Sequence, residues 1–288
     1  MMNMSAKGPF ILLPAILLLL APPFLAQAQP EIKEGQTQTW YGRVNHWAED
    51  YDLLIKELDY MAECGVSGYM IEMSGWGKSL ERWNPTWVKQ TRKAYRKLLR
   101  ACRKRHLWLF VSIINDNMGR KKYGDVGPPL KDVVPYAHEL VDIVKRYGPK
   151  GVVIQPSAET QTDAGREFEK YCADHLKGFI LVYNPDNWPF DSPNELPEGF
   201  SFRSVHPGSI SKEVPSTAFA ISDHGLIIRA LNTGRDLCAP ADPAQVTKWA
   251  GYMRELGVPV IGYYAFQYNE FDGPAIATLG EWGVRRTE

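Results

Sequence analysis

Five carboxylates in this chain stand at or just past short apolar runs: Glu72, Asp116, Glu159, Asp223 and Glu270. A carboxyl group there is costly to bury unless it faces a polar site or a partner. Two such groups facing each other suit one reaction in particular. Cleaving a glycosidic bond takes one carboxylic acid to protonate the leaving oxygen. A second carboxylate attacks the anomeric carbon or activates water. Glu159 ends the segment Gln155-Pro156-Ser157-Ala158-Glu159, Asp223 follows Ile221-Ser222, and Glu72 lies within Ile71-Glu72-Met73. The expected roles are Glu159 as general acid/base and Asp223 as nucleophile or base, with Glu72 as the rival for that second role. Each has a plainer reading: acids cap helices and favour their first turns, and that alone accounts for Glu159 or Asp223.

Polar and aromatic residues gather at the same positions. Trp47, Trp76, Asn115, Gln155, His206, Tyr263, Gln267 and Glu270 are expected to line a substrate site. Aromatic faces cover the C–H faces of sugar rings, and amides and imidazoles bind the hydroxyls. Trp40 and one of Tyr263 and Tyr264 are expected in packing instead. His46, His206 and His224 follow apolar runs, whereas His106, His138 and His175 fall on helices and read as structural. No His-x-His pair or His-Glu-x-x-His segment occurs, so no metal and no cofactor is expected. Nor is there a Gly-x-Ser-x-Gly elbow, a phosphate loop or a dinucleotide fingerprint.

The elements that must carry these residues are legible. Eight short runs rich in Val, Ile, Phe and Tyr read as buried parallel strands. They are Thr39 to Val44, Gly68 to Met73, Leu107 to Ile114, Gly151 to Gln155, Phe179 to Tyr183, Phe200 to Val205, Ala218 to Ser222 and Val260 to Ala265. Amphipathic helical patterns separate most of them, as in Leu54, Leu58, Met61 and Ala62, or Ala137, Leu140, Val141 and Val144. Asp242-Pro243 opens one helix and Gly257 stops it. The last helix runs from Asp272-Gly273-Pro274 to about Trp282. The fold class is therefore α/β, a single (β/α)8 barrel, with irregular connections after the fifth and sixth strands. Such barrels do their chemistry where the strands end. Strands four and seven lie on opposite sides, so Glu159 and Asp223 can face each other across a substrate.

Residues 1–28 read as a secretory signal peptide: Lys7, an apolar run from Ile11 to Leu20, and a small-x-small site at Ala26-Gln27-Ala28. Residues 29–288 then form the barrel, a monomer that is secreted or periplasmic, with no membrane association after cleavage. With 33 basic and 33 acidic residues the net charge is zero, which gives no support to a nucleic-acid partner. The second helix is strongly basic, from Lys89 to Arg105. It reads first as a solvated outer face, and second as a stripe for a polyanion. Of the four cysteines, Cys64 and Cys102 are best placed to pair, and buried free thiols are the equal alternative.

On these residues the chain resembles secreted bacterial glycoside hydrolases of the TIM-barrel type, similar to clan A. That clan carries an acid/base Glu after strand four and a nucleophilic Glu after strand seven. Glu159 matches the first. Asp223 stands where the second Glu would be, and Ala158 stands where the clan has Asn. His206 is similar to a substrate-orienting His. The resemblance implies a hydrolase acting on a poly- or oligosaccharide. Two other readings use the same positions: a metal-dependent sugar isomerase, epimerase or lyase drawing on Glu72, His206, Asp223 and His224, and a barrel that binds carbohydrate without turning it over.

Overall fold

The computed structural model describes residues 37–43, 47–48, 50–74, 83–115, 128–160, 162–184, 196–205, 218–223, 243–255, 258–264 and 270–283; of residues 205, 218–223 and 245 it describes the backbone alone. Eight strands run in chain order: β1 Gln38–Arg43, β2 Gly68–Glu72, β3 Trp108–Asn115, β4 Val152–Ala158, β5 Ile180–Tyr183, β6 Phe202–Val205, β7 Ala218–Asp223 and β8 Val260–Tyr264. Each pairs in parallel with the next, and β8 pairs with β1, so the sheet closes into a barrel. Six helices are described outside it: α1 Tyr51–Cys64, α2 Pro85–Lys104, α3 Leu130–Tyr147, α4 Asp163–His175, α5 Pro243–Glu255 and α6 Gly273–Trp282. The strands expected from sequence are all present. The largest change is β4, which runs three residues further, through Pro156, Ser157 and Ala158.

Local signals set the helix ends. Asp50, Asn84, Thr162 and Asp272 each accept a backbone N–H from the first turn of α1, α2, α4 and α6, which satisfies a donor that the helix itself cannot. Gly65 ends α1 at φ 84°, a conformation that costs glycine nothing.

The core is in two layers, as alternation along parallel strands requires. Tyr41, Tyr69, Ile71, Leu109, Val111, Ile154, Ile261 and Tyr263 pack against the helices. Trp40, Met70, Trp108, Phe110, Val153, Val182, Val260 and Tyr264 fill the barrel. Within the barrel large residues face small ones. Trp40 lies in register with Gly68 on β2 and Gly262 on β8. A Cβ on Gly68 would sit 2.7 Å from the Trp40 ring. Trp40 then stacks on Trp108 at 6.3 Å and meets Phe110 edge-on at 6.0 Å, geometries that aromatic quadrupoles favour. This apolar plug closes the barrel from below.

Cys64, Cys102 and Cys172 are free thiols, so the Cys64–Cys102 pairing is not made. Burial pushes the Cys102 thiol up to about 12, which keeps it neutral and unreactive. Cys238 lies outside the described residues, as do most of the two irregular connections. Among the described residues no helix is long and apolar enough to cross a membrane.

Candidate active site

Above the aromatic plug the lumen turns polar. Glu72 on β2 is in register with Ser112 on β3, which is in register with Gln155 on β4. Gln155 donates through Nε2 to Ser112 Oγ at 3.2 Å. Asn184, just past β5, donates through Nδ2 to Gln155 Oε1 at 3.1 Å and to Ser204 Oγ on β6 at 3.4 Å. Ser74 donates to Glu72 Oε1 at 2.9 Å. These side chains are all nearly inaccessible. A buried polar belt of this kind persists because its members satisfy one another. Two atoms at this level have no partner among the described residues: Asn184 Oδ1 and Tyr264 Oη.

Tyr264 reaches Glu72 electrostatically. Its phenol is pushed well above the ordinary range, first by burial and then by the negative charge of Glu72. Gly42 on β1 lies between them, in register with Met70 on one side and Tyr264 on the other. A Cβ there would collide with the Met70 carbonyl oxygen, so only glycine fits. Asp223 ends β7 in register with Tyr264. Glu72, Asp223 and Glu159 thus mark the C-terminal ends of three strands around one mouth.

Glu159 directly follows β4 and is partly exposed, with φ at 52°. A left-handed backbone is costly for a residue with a Cβ, and it persists only where the surroundings enforce it. Here the enforcement comes from the next residue. The Thr160 N–H donates to the Asn184 carbonyl at 2.9 Å, and its hydroxyl donates to Glu169 of α4 at 2.6 Å. Glu159 is left standing on the rim of the barrel.

Several expected binding residues lie elsewhere. Tyr263 faces the helices, stacked 6.3 Å from Tyr41 in the outer core. The expectation that it touches substrate is corrected: strand alternation gives Tyr264 the lumen and Tyr263 the outside. Trp47 is only 6% exposed, and its indole N–H is donated to the Glu72 carbonyl at 3.0 Å. It fastens the end of β2 and offers no open ring face. Asn115 is buried at the end of β3. Glu270 is exposed, and its carbonyl accepts a bond from Arg43. His138 and His175 stack on Tyr171, as structural residues do. Trp76, His206 and Gln267 lie outside the described residues, as do Asp116, His46 and His224.

Sequence reasoning passed over Ser112, Asn184 and Ser204, and it left open which of Tyr263 and Tyr264 is the packing residue. The signal that marked Glu72, a polar group inside an apolar strand, also marks Ser112 in Val111-Ser112-Ile113. It passed over Arg43 and Glu57 too. Behind the barrel wall Arg43 bonds Glu57 through Nε at 3.0 and 2.9 Å and again through Nη2. The phenols of Tyr41 and Tyr69 also donate to Glu57. Arg43 then reaches on to the Glu270 carbonyl, tying β1 and α1 to the segment that enters α6.

Among the described residues no group of three or more His, Cys, Asp or Glu is placed to hold a metal ion. No family model matches the chain, and no curated protein matches it in sequence. Solved structures do. An exo-beta-1,4-mannosidase from Opitutaceae bacterium strain TAV5 aligns with TM-score 0.58 at 14% identity, over 85% of this chain and 58% of that one. A glycoside hydrolase family 5 enzyme from Prevotella bryantii B14 aligns with TM-score 0.53 at 9% identity, over 86% and 96%. An endo-beta-1,4-glucanase from Xanthomonas axonopodis pv. citri aligns with TM-score 0.53 at 12% identity, over 85% and 98%. This chain has the fold of these bacterial glycoside hydrolase barrels.

Proposed function

We propose that the protein is an exported glycoside hydrolase acting on a polysaccharide. The observation that carries this reading is the mouth of the barrel. Three carboxylate residues mark the ends of β2, β4 and β7 above a floor of aromatic rings and a belt of buried amides and hydroxyls. Glu159 serves as general acid/base, because it stands on the rim at the end of β4 in an enforced, unfavourable backbone conformation. Asp223 is its partner, the nucleophile or the base. Glu72, buried and held by Ser74 beside Tyr264, is the rival for that role. The belt of Gln155, Asn184 and Ser204 braces the ends of β4, β5 and β6 beneath the mouth. Barrels of the same fold include a mannosidase and a glucanase, which supports a polysaccharide substrate. The sequence of residues 1–28 supports export, and the chain acts as a monomer.

A reducing-end release screen against a polysaccharide panel tests this, with Glu159→Gln, Asp223→Asn and Glu72→Gln beside the wild type, each with and without EDTA. The expected result is release by the wild type alone, indifferent to EDTA. Loss of a general acid costs on the order of 10²–10⁴-fold. Turnover by Glu159→Gln at the wild-type rate overturns the assignment. Loss of wild-type activity in EDTA moves the protein to metal-dependent sugar chemistry. Of the two remaining variants, the more damaged names the partner of Glu159.

A further inference from the structure

The outer face of α2 carries a charge pattern that the proposed chemistry leaves unused. Successive helical residues are about 100° apart. On that spacing Lys89, Arg92, Lys93, Arg96, Lys97, Arg100, Arg103 and Lys104 all fall within an arc of about 140°. Between Lys89 and Lys104 every residue in that arc is a cation, and every other residue lies outside it. The stripe is about 22 Å long at the helical rise. Lys89, Lys93, Arg96, Lys97, Arg100 and Lys104 are exposed.

Among the described residues the stripe is little compensated: Asp59 feels Lys104 electrostatically, behind its bond to Arg105. The whole of α2 contains no acidic residue. Five pairs in the stripe are like charges four residues apart, a spacing at which a surface helix ordinarily sets opposite charges. Among the described residues none of the eight makes an ion pair. Arg103 is spent on the carbonyls of Tyr147 and Lys150, and Lys97 lies 4.8 Å over the Tyr51 ring. The acid Asp59 on α1 pairs instead with Arg105, which lies off the stripe. The chain as a whole is neutral, so this concentration of charge is local.

We propose that this face of α2 binds an anionic polysaccharide, one whose backbone bears regularly spaced carboxylate or sulfate groups. The proposal rests on the hydrolase reading and names its substrate class. The narrow, linear array of cations matches a linear array of anions. α2 also begins at the mouth end of the barrel, because it follows β2, so Lys89 is the cation of the stripe nearest the mouth. Other polyanions match less well. A membrane surface favours apolar side chains among the cations, and the arc has none. Single-stranded nucleic acid is held by aromatic platforms, and the arc has none of those either. A duplex responds to the net charge of a domain, which here is zero.

Affinity electrophoresis of the whole chain tests the proposal. The gels contain polygalacturonate or its fully methyl-esterified form, and dextran sulfate or plain dextran. A DNA duplex and phosphatidylserine vesicles serve as separate arms. The variants are Lys93→Glu/Arg96→Glu/Arg100→Glu and Glu159→Gln, with circular dichroism to confirm folding. The expected result is retardation by at least one charged glycan, little by its neutral counterpart, and fading with salt. The triple variant should bind about ten-fold more weakly or less, and Glu159→Gln should be retarded as the wild type is. Equal retardation of the folded triple variant, equal binding of neutral glycans, or tighter binding of DNA or vesicles overturns the proposal. The two readings fail separately. Retardation without cleavage of any substrate removes the hydrolase and leaves the stripe. Cleavage of a neutral polysaccharide without retardation by either charged glycan removes the stripe and leaves the hydrolase.

Discussion

At Glu159 the backbone and the proposed chemistry pull in opposite directions. Its φ of 52° suits glycine, yet the position carries a carboxylate. A left-handed conformation costs a residue with a Cβ about 1–2 kcal/mol, and glycine's extra freedom in the unfolded chain offsets about 0.5–1 kcal/mol of that. Glu159→Gly should therefore fold at least as stably as the wild type in urea denaturation while losing all activity. A clear loss of stability would mean that the Glu159 side chain holds the structure rather than the reaction. Tyr264 supports a second prediction. Its hydroxyl is buried without a partner among the described residues, a state that costs about 1–3 kcal/mol. Tyr264→Phe should leave the melting temperature unchanged or raised. If the hydroxyl binds substrate, kcat/KM should fall by about 5–30-fold, the worth of one hydrogen bond to a charged or well-placed group. Full activity in that variant would take Tyr264 out of the site.

At the scale of elements, the entry to α6 is sensitive to pH. Asp272 caps this helix, accepting the Ala275 N–H. Burial pushes its carboxyl up to about 6, against the pull of that bond and of Arg43, and with a push from Glu57. The folded protein thus binds the Asp272 proton more tightly than the unfolded chain does. The stabilisation is full below pH ~4 and is lost as pH rises through about 6. A difference of that size in proton affinity is worth at most about 3 kcal/mol. Asp272→Asn keeps an oxygen for the cap and removes the charge. Its melting temperature should exceed that of the wild type at pH 8, and the gap should close near pH 4. An equal gap at both pH values would mean that Asp272 is not the titrating group. The neighbouring Arg43–Glu57 pair differs in kind, because each charge is matched. Burial works against the Arg43 charge, but the bond to Glu57 outweighs it, so the guanidinium stays protonated.

At the scale of the molecule, closure depends on β1, which pairs with β2 on one side and β8 on the other. Gly42 sits at the tightest point of that seam, against backbone. Gly42→Ala should lower stability by about 1–3 kcal/mol or more, since an overpacked backbone contact cannot be relieved by turning a side chain. Chemical denaturation measures it, and an unchanged midpoint would show that the seam has room. The same closure turns residues far apart in sequence into neighbours: Glu72, Gln155, Asn184 and Tyr264 meet at one level because eight strands share one axis.

The amino-acid sequence determined the eight strands, the helices between them, the start of the last helix at Asp272, and the rule that chemistry belongs at the strand ends. It also singled out Glu72 and Gln155, because a polar side chain in an apolar strand needs a polar destination. Periodicity and capping are local, so they can be read without the fold. Only the tertiary structure decided which of Tyr263 and Tyr264 enters the lumen. A strand buried on both faces is apolar at every position, and alternation alone does not say which face is inside. Only the structure turned Trp47 from an open platform into a clamp on β2, joined Arg43 to Glu57 and Glu270, and linked Ser112, Gln155, Asn184 and Ser204 into one belt. Each of these depends on how far strands twist and where the barrel closes, and those quantities are set by packing across the whole molecule.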